Sequence, residues 1–248
     1  MIASILLLSL LQSPNSLTLA ERTAGWRLLF DGRTLAGWRG VGYDTVPSAH
    51  WVVVNGAIKK ADGRPLVGGD LMTVDSFADF ELSFEWKVTP GANSGVKYNV
   101  SETMSIAQGG AGTQGGPTHS ALGFEYQILD DDRHEDGKLP SHRSAGLYDL
   151  IAPNTKQPGV GAQHAAPLLR PLGEWNRSRI VFRGNHGEHW LNDVKVVEFE
   201  LGTARMDSLL AASKYKTIPG FGAKRRGHIV LQDHGDEVYF RDIKVRPL

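Results

Sequence analysis

The 248-residue chain balances 27 basic against 27 acidic side chains, with no block of either sign, so it carries no electrostatic footprint for nucleic acid or an anionic membrane surface. It contains no cysteine, which excludes disulfides, thiolate nucleophiles and cysteine-ligated zinc and leaves His, Asp and Glu for acid–base or metal chemistry. A hydrophobic fraction of 41% over this length supplies one full core.

Met1 to Leu11 is an apolar run followed by a polar Gln-Ser-Pro-Asn-Ser stretch. It is too short to span a bilayer and has the length of a secretory leader, with Ala20 or Ala24 as cleavage positions. The expectation is an exported, periplasmic or secreted protein with a leader over 1–24 and one domain over 25–248.

Beyond the leader the chain reads as short strands. Gly25 to Gly32 ends in an Asp-Gly turn, and Trp51–Val54 meets Ala57–Lys60 across Asn55-Gly56, a strong hairpin signal. From Asp79 to Val88, Phe80, Leu82, Phe84, Trp86 and Val88 alternate with Glu81, Ser83, Glu85 and Lys87, which specifies a half-buried antiparallel strand. After a Pro90-Gly91 turn the alternation resumes, with Val96, Tyr98 and Val100 inward and Asn93, Lys97 and Asn99 on the other face. Gln108 to Pro117 is a Gly-rich loop placed to act as a lid.

Leu122 to Asp132 organises the rest. As a strand it sets Leu122, Phe124, Tyr126 and Ile128 toward the core and Glu125 and Gln127 on the opposite face. A polar loop with His134 follows, then a segment with His142 and Tyr148, and a proline-containing stretch from Thr155 to Gly173 that wraps the sheet. Arg179–Arg183 is a strand, and His186–Leu191 pairs with Val194–Phe199 across Asn192-Asp193. On that hairpin His186 and His189 read as surface residues, and Trp190 as either a core tryptophan or a stacking platform for a sugar ring. One helix is expected over Arg205–Lys216 with Thr203 as its cap. Gly227–Leu231 and Glu237–Val245 close the chain as strands, the second bulged near Arg241-Asp242, with Lys224-Arg225-Arg226 before them a solvated loop. The pattern specifies an all-β, two-sheet antiparallel sandwich of jelly-roll type with one short helix.

In the closing pair Ile229 and Leu231 point inward, so Gln232 and His234 fall on the second face with Asn93, Lys97, Glu125 and Gln127. Amide, carboxylate, imidazole and ammonium groups together match sugar hydroxyls, which need donors and acceptors at fixed spacing. Asp233 and Asp236 flank His234 closely enough to orient its ring. No His-x-x-x-His spacing, calcium loop, Gly-x-Ser-x-Gly or phosphate-binding loop is present.

Leu29-Phe30-Asp31-Gly32 with Gly37-Trp38, Asp79-Phe80-Glu81-Leu82, Pro90-Gly91-Ala92-Asn93-Ser94-Gly95-Val96, Glu125-Tyr126-Gln127-Ile128-Leu129-Asp130, Gly173-Glu174-Trp175-Asn176, Trp190-Leu191-Asn192 and Leu231-Gln232-Asp233-His234-Gly235 together resemble the 3-keto-disaccharide hydrolase family, in order from about Trp26 to Leu248. At the second hairpin the family more often has Asn-Gly than Asn192-Asp193. The resemblance implies a concanavalin-like jelly roll and an exported bacterial enzyme acting on glycosides oxidised at C3, with oligosaccharide or glycoside substrates and hydrolase or lyase outcome. The chemistry of such a substrate needs a base for the C2 proton, an acid for the leaving oxygen and a group to stabilise the enolate. Glu125 or His234 is the candidate base and the other the acid. Lys97, His142 or a bound divalent metal ion stands at the enolate, and Asn93, Gln127, Tyr148, Trp190 and Gln232 hold the sugar. Direct displacement by water between paired carboxylates is the other mechanism. A non-catalytic carbohydrate-binding module on the same sandwich is the alternative function.

Overall fold

A computed structural model of the chain describes residues 13–61, 69–107, 121–155, 168–223 and 225–248. The apolar run at Met1–Leu11, the Gly-rich loop at Gln108–Pro117, most of the wrapping segment and Lys224 lie outside the described residues.

The first strands are short: β1 (Arg27–Leu28), β2 (Trp38–Gly40), β3 (Trp51–Val54), β4 (Ala57–Lys60) and β5 (Leu71–Thr73). The long strands β6 (Phe80–Val88) and β7 (Asn93–Val100) follow, then β8 (Phe124–Leu129), β9 (Asn176–Arg183), β10 (His186–Leu191), β11 (Val194–Glu200), β12 (His228–Leu231) and β13 (Val238–Pro247). They form two antiparallel sheets. The larger runs β11-β10-β9-β6-β13-β4-β3, with β1 also against β13, and the smaller runs β2-β5-β12-β7-β8.

The expected alternation of β6 is realised. Phe80, Leu82, Phe84 and Trp86 are almost wholly buried and meet Tyr98, Phe124, Tyr126 and Ile128 from the smaller sheet. The ring of Phe84 stands edge-on to Tyr126 at 5.5 Å, and Phe80 edge-on to Tyr98 at 6.2 Å. Each such side chain contributes about 1.5–3 kcal/mol by leaving water, so this inter-sheet layer is what locks the sandwich.

Both hairpins use the turn chemistry read from sequence. Asn55 and Gly56 have φ of 50° and 74°, and Asn192 and Asp193 have 45° and 71°, the positive values that a two-residue turn needs to match strand twist. The bulge in β13 falls between Arg241 and Lys244, with Asp242 at φ 49°.

Three expectations are corrected. Val100 does not face the main core. Asn99 adopts φ 52° and β12 shifts register between His228 and Val230, so Val100 joins Val41, Met72, Ala121 and Val230 in a separate apolar cluster. His189 is fully buried instead of exposed. Its Nδ1 donates to the Ala145 carbonyl at 3.0 Å and its Nε2 accepts from the Tyr98 hydroxyl at 2.9 Å. Burial lowers its pKa to about 4, so it is a neutral core residue.

The third concerns helices. The expected one is present as α3 (Ala204–Ala212) with Thr203 as its N-cap, but it stops at Ser213 and the chain re-enters a 3₁₀ turn over Lys214–Thr217. Two more short helices exist: α1 (Leu19–Thr23), closed by a Thr18/Glu21 capping box, and α2 (Glu102–Ala107). The segment around α1 is tied to the sandwich. Asn15 exchanges hydrogen bonds with Asp242 and donates to the Gly56 carbonyl, and Glu21 pairs with Lys244 at 2.6 Å. The expected leader boundary at residue 24 therefore lies beyond a stretch that is docked on the larger sheet.

Candidate functional site

The outer face of the smaller sheet carries the polar residues. The β7–β8 register sets Lys97 opposite Glu125 and Gly95 opposite Gln127, so period-2 alternation places Asn93, Gly95, Lys97, Glu125 and Gln127 on one surface. All are nearly inaccessible, Glu125 at 3% and Lys97 at 4%. A wet strand face would leave them open. Here the chain folds back over the sheet edge instead, with Gln127 N–H donating to Gly146 O, Ala145 N–H to Gln127 O and Tyr148 N–H to Glu125 O, which also protects the edge of β8.

Gly95 gives Glu125 its place. A Cβ at residue 95 would overlap Glu125 Oε1 and stand 2.9 Å from its Cγ and 3.0 Å from its Cδ. The carboxylate therefore lies across β7, toward β12, over the one position on that strand without a side chain. Gln232 enters from β12, its backbone N–H bonded to Gly95 O at 2.9 Å. Its side-chain Oε1 is buried with no hydrogen-bond partner among the described residues, an acceptor that a ligand hydroxyl would satisfy. Gln127 Nε2 reaches Asn93 Oδ1 only at 3.4 Å.

Buried charges fix this floor. Lys97 Nζ donates to Ala121 O at 3.1 Å and lies 3.7 Å from Asp70. Asp70 in turn accepts the N–H of Ala121 and of Asp233. The Asp233 carboxylate meets His50 Nδ1 at 2.7 Å, Lys60 Nζ at 3.1 Å and the Gly235 N–H at 2.9 Å. Asp233 thus serves His50 and Lys60 and not His234, as the sequence suggested, and it rigidifies the turn on which His234 sits. Such a network is tolerable in the interior because each charge finds both a counter-charge and hydrogen bonds.

His234 is at the rim, its Nδ1 3.9 Å from Asp236 Oδ2 and its ring edge-on to His134 at 6.0 Å. Asp236 is held by the Asn93 N–H at 2.9 Å. A second wall comes from the segment after β8. His142 Nε2 lies 3.2 Å from Asp149 Oδ1 and stacks on Tyr148 at 4.2 Å, and the Tyr148 hydroxyl donates to Asp136 Oδ2 at 3.1 Å. Burial, with Asp136 and Glu125 nearby, raises the Tyr148 pKa above that of a free phenol, so it is a donor across neutral pH. Lys214 completes the wall, its ammonium 4.0 Å from the Tyr148 ring centroid. The residue is exposed to solvent, yet the surrounding protein mass lowers its pKa, and Glu125 and Lys97 both act on it electrostatically.

The structure brings Glu125, Lys97, His142, His234, Asn93, Gln127, Tyr148 and Gln232 around this surface. Trp190 is not among them. It stands on the outer face of the larger sheet, with the Arg179 guanidinium 3.9 Å over its ring and its Nε1 donating to Glu188, because alternation fixes which side of a strand it leaves but not which sheet the strand joins. Sequence reasoning missed Lys214, Asp70, Asp136 and Asp149. None has a local signal, since each reaches the site through a loop or a strand distant in sequence.

His134, His234 and Asp236 have donor atoms within 4.8 Å of one another and are the group nearest the site that could take a divalent ion. His134 Nδ1, however, accepts the Asp136 N–H at 3.1 Å as the cap of a 3₁₀ turn, which puts the proton of the neutral ring on Nε2. With that cap intact the group offers two lone-pair donors, short of the three protein ligands of a catalytic zinc centre. The donor set does not fit a catalytic zinc as it stands. A second group, His186, Glu188 and Glu198, is on the larger sheet, with both carboxylates already paired with Lys195.

Comparison with known proteins bears on the whole chain. The model of the 3-keto-alpha-glucoside-1,2-lyase-like domain matches residues 25–246. A 3-keto-disaccharide hydrolase from Bacteroides thetaiotaomicron is 38% identical over 252 residues, covering 94% of this chain and 82% of that protein. A crystal structure from Parabacteroides distasonis, of a protein provisionally described as a glycosyl hydrolase, superposes with a TM-score of 0.76 at 29% identity, covering 95% of this chain and all of the other. A second structure from the same organism, described the same way, gives 0.61 at 24% identity over 90% of this chain and 99% of the other, and supports the fold.

Proposed function

Since the chain belongs to the 3-keto-alpha-glucoside-1,2-lyase-like family, we propose that it cleaves glycosides already oxidised at C3 of a sugar ring, by removing the C2 proton and expelling the C1 oxygen. The observation that carries this reading is the Glu125 carboxylate, buried, directly opposite Lys97 and laid over Gly95 among the amides of Asn93, Gln127 and Gln232.

A C3 ketone makes the adjacent C2–H acidic, so a carboxylate is a strong enough base once it is positioned. Glu125 takes that proton, the C2–H electrons form the C2–C3 enolate, and the enolate reforms the ketone as the C1–O bond breaks. His234 gives its proton to the departing oxygen. The C1–C2 double bond left behind then adds water: the water oxygen bonds to C1 and its released proton restores His234, while Glu125, its proton exchanged with solvent in the meantime, protonates C2. The sum is hydrolysis, and release before hydration is the lyase outcome.

A binding module on the same sandwich would use an aromatic strip with exposed carboxylates. The enclosed Glu125 and the placement of Trp190 on the other sheet favour the enzyme. We also place the protein outside the cytoplasm on the apolar run Met1–Leu11, to be checked by fractionating cells that express the full chain.

The test is to incubate the protein with 3-keto-trehalose and with trehalose in deuterated water and to follow early products by NMR. Cleavage of the keto sugar alone, with deuterium at C2, and a loss of about 10²–10⁴ in rate in Glu125→Gln are expected. Cleavage without deuterium at C2 would replace elimination by direct displacement, and cleavage of neither sugar would end the enzymatic reading.

A further inference from the structure

We infer that Lys214 is a further catalytic residue, the electrophile whose ammonium binds the C3 oxygen of the substrate and carries its charge as the enolate forms. The assignment rests on the elimination chemistry proposed above and names a group within it.

Among the cations around the site, Lys60 and Lys97 are already engaged. Lys60 is paired with Asp233 at 3.1 Å and also donates to Ala61 O. Lys97 donates to Ala121 O and faces Asp70. Both therefore have counter-charges that would resist the pull of a new anion. Lys214 has no carboxylate within ion-pair distance among the described residues. Its ammonium instead faces the rings of Tyr148 at 4.0 Å and Tyr215 at 5.2 Å. Ring faces attract a cation without consuming its N–H donors, so they remain available to a ligand oxygen.

The placement is also rigid, as preorganised electrostatic stabilisation requires. The Lys214 backbone N–H donates to Asp149 Oδ2 at 2.7 Å, and Asp149, at φ 62°, is the residue that also holds His142. Ser213 caps the turn by accepting the Tyr215 N–H at 3.1 Å. Tyr215 stacks flat on Phe221 at 3.9 Å, and Phe221 stands edge-on to Phe124 of β8 at 5.3 Å. The lysine is thereby referenced to the strand that carries Glu125. The rings of Tyr148 and Tyr215 face the ammonium, and Glu125, Lys97, Asp136 and Asp149 act on it electrostatically, so the candidate base and the electrophile lie within each other's field, the pair that proton abstraction beside a ketone needs.

The experiment compares wild type, Lys214→Met and Lys214→Arg on 3-keto-trehalose, with thermal unfolding as the folding control, and follows the side-chain NMR signal of Lys214 in the wild-type protein during titration with 3-keto-glucose and with glucose. The expected result is a fall of about 10²–10³ in kcat for Lys214→Met with little change in KM, recovery of at least about tenfold in Lys214→Arg, which keeps the charge, and a shift of the Lys214 signal by the keto sugar only. Near-wild-type kcat in Lys214→Met, or a rise in KM alone, overturns the assignment and leaves the proposed function standing. If wild type cleaves neither sugar, the functional reading has failed. The NMR titration then decides separately, and a Lys214 signal indifferent to the ketone removes this residue as its ligand.

Discussion

Gly95→Ala isolates how the fold aims its base. No positive φ is needed at Gly95, so alanine fits the backbone, and the whole effect comes from the new Cβ. Carbon atoms pack best at about 3.5–4.0 Å. With Glu125 Cγ and Cδ at 2.9 and 3.0 Å from that Cβ and Oε1 overlapping it, the carboxylate must retreat by roughly 0.5–1 Å. A misplacement of about 1 Å can cost on the order of 10² in rate. The stability change is smaller: overpacking costs about 1–3 kcal/mol, offset by about 0.4–1 kcal/mol from the stiffer unfolded chain. We therefore expect Gly95→Ala to fold and melt within a few degrees of wild type while kcat/KM on 3-keto-trehalose falls about a hundredfold. In a Glu125→Gln background the same alanine should make no further difference, because it acts through the carboxylate. Wild-type turnover in Gly95→Ala, or an equal loss in both backgrounds, would refute the reasoning.

His189 links stability to pH. Its pKa is about 4 in the folded protein against 6.5 for the free side chain, so between those values the unfolded chain binds a proton that the native one excludes. Its contribution is fully present above pH 6.5 and is lost as pH falls toward 4, on the order of 3 kcal/mol. Urea unfolding from pH 7.5 to 4 should show this slope in wild type minus His189→Gln, and identical pH profiles would contradict it. Asp193 holds φ 71° in a hairpin turn, where a non-glycine residue costs about 1–2 kcal/mol. Asp193→Gly also gives up an exposed pair with Arg177 of about 0.2–1 kcal/mol. A melting temperature equal to wild type or a few degrees higher, with activity unchanged, is expected, and a drop would show that the pair outweighs the backbone strain.

Several features are legible in the sequence. Ten residues of strict alternation determine β6 and its buried face, because a one-residue slip would expose all five large apolar side chains. Asn55-Gly56 and Asn192-Asp193 determine their hairpins through tolerance of positive φ. The same parity puts Glu125 and Gln127 on one side of β8 and Asn93 and Lys97 on one side of β7, and the ordered motifs from Trp26 onward determine the family.

What parity leaves open is which strands are neighbours. Only the order β5-β12-β7-β8 brings Asp70, Gln232, Lys97 and Glu125 together from separated stretches of chain. Only the strand pairing of β10 with β9 and β11 sends Trp190 to the other sheet. Val100 changed sides through one left-handed residue, Asn99, and His134 spent a nitrogen on a backbone cap. Lys214 reached Tyr148 because α3 ends at Ala212 and a 3₁₀ turn redirects the chain. The sequence by itself determined the faces of its strands, since side-chain alternation is a local property of the backbone. The tertiary structure alone decided the membership of the site, since contacts between strands distant in sequence are set by how the two sheets close over one shared core.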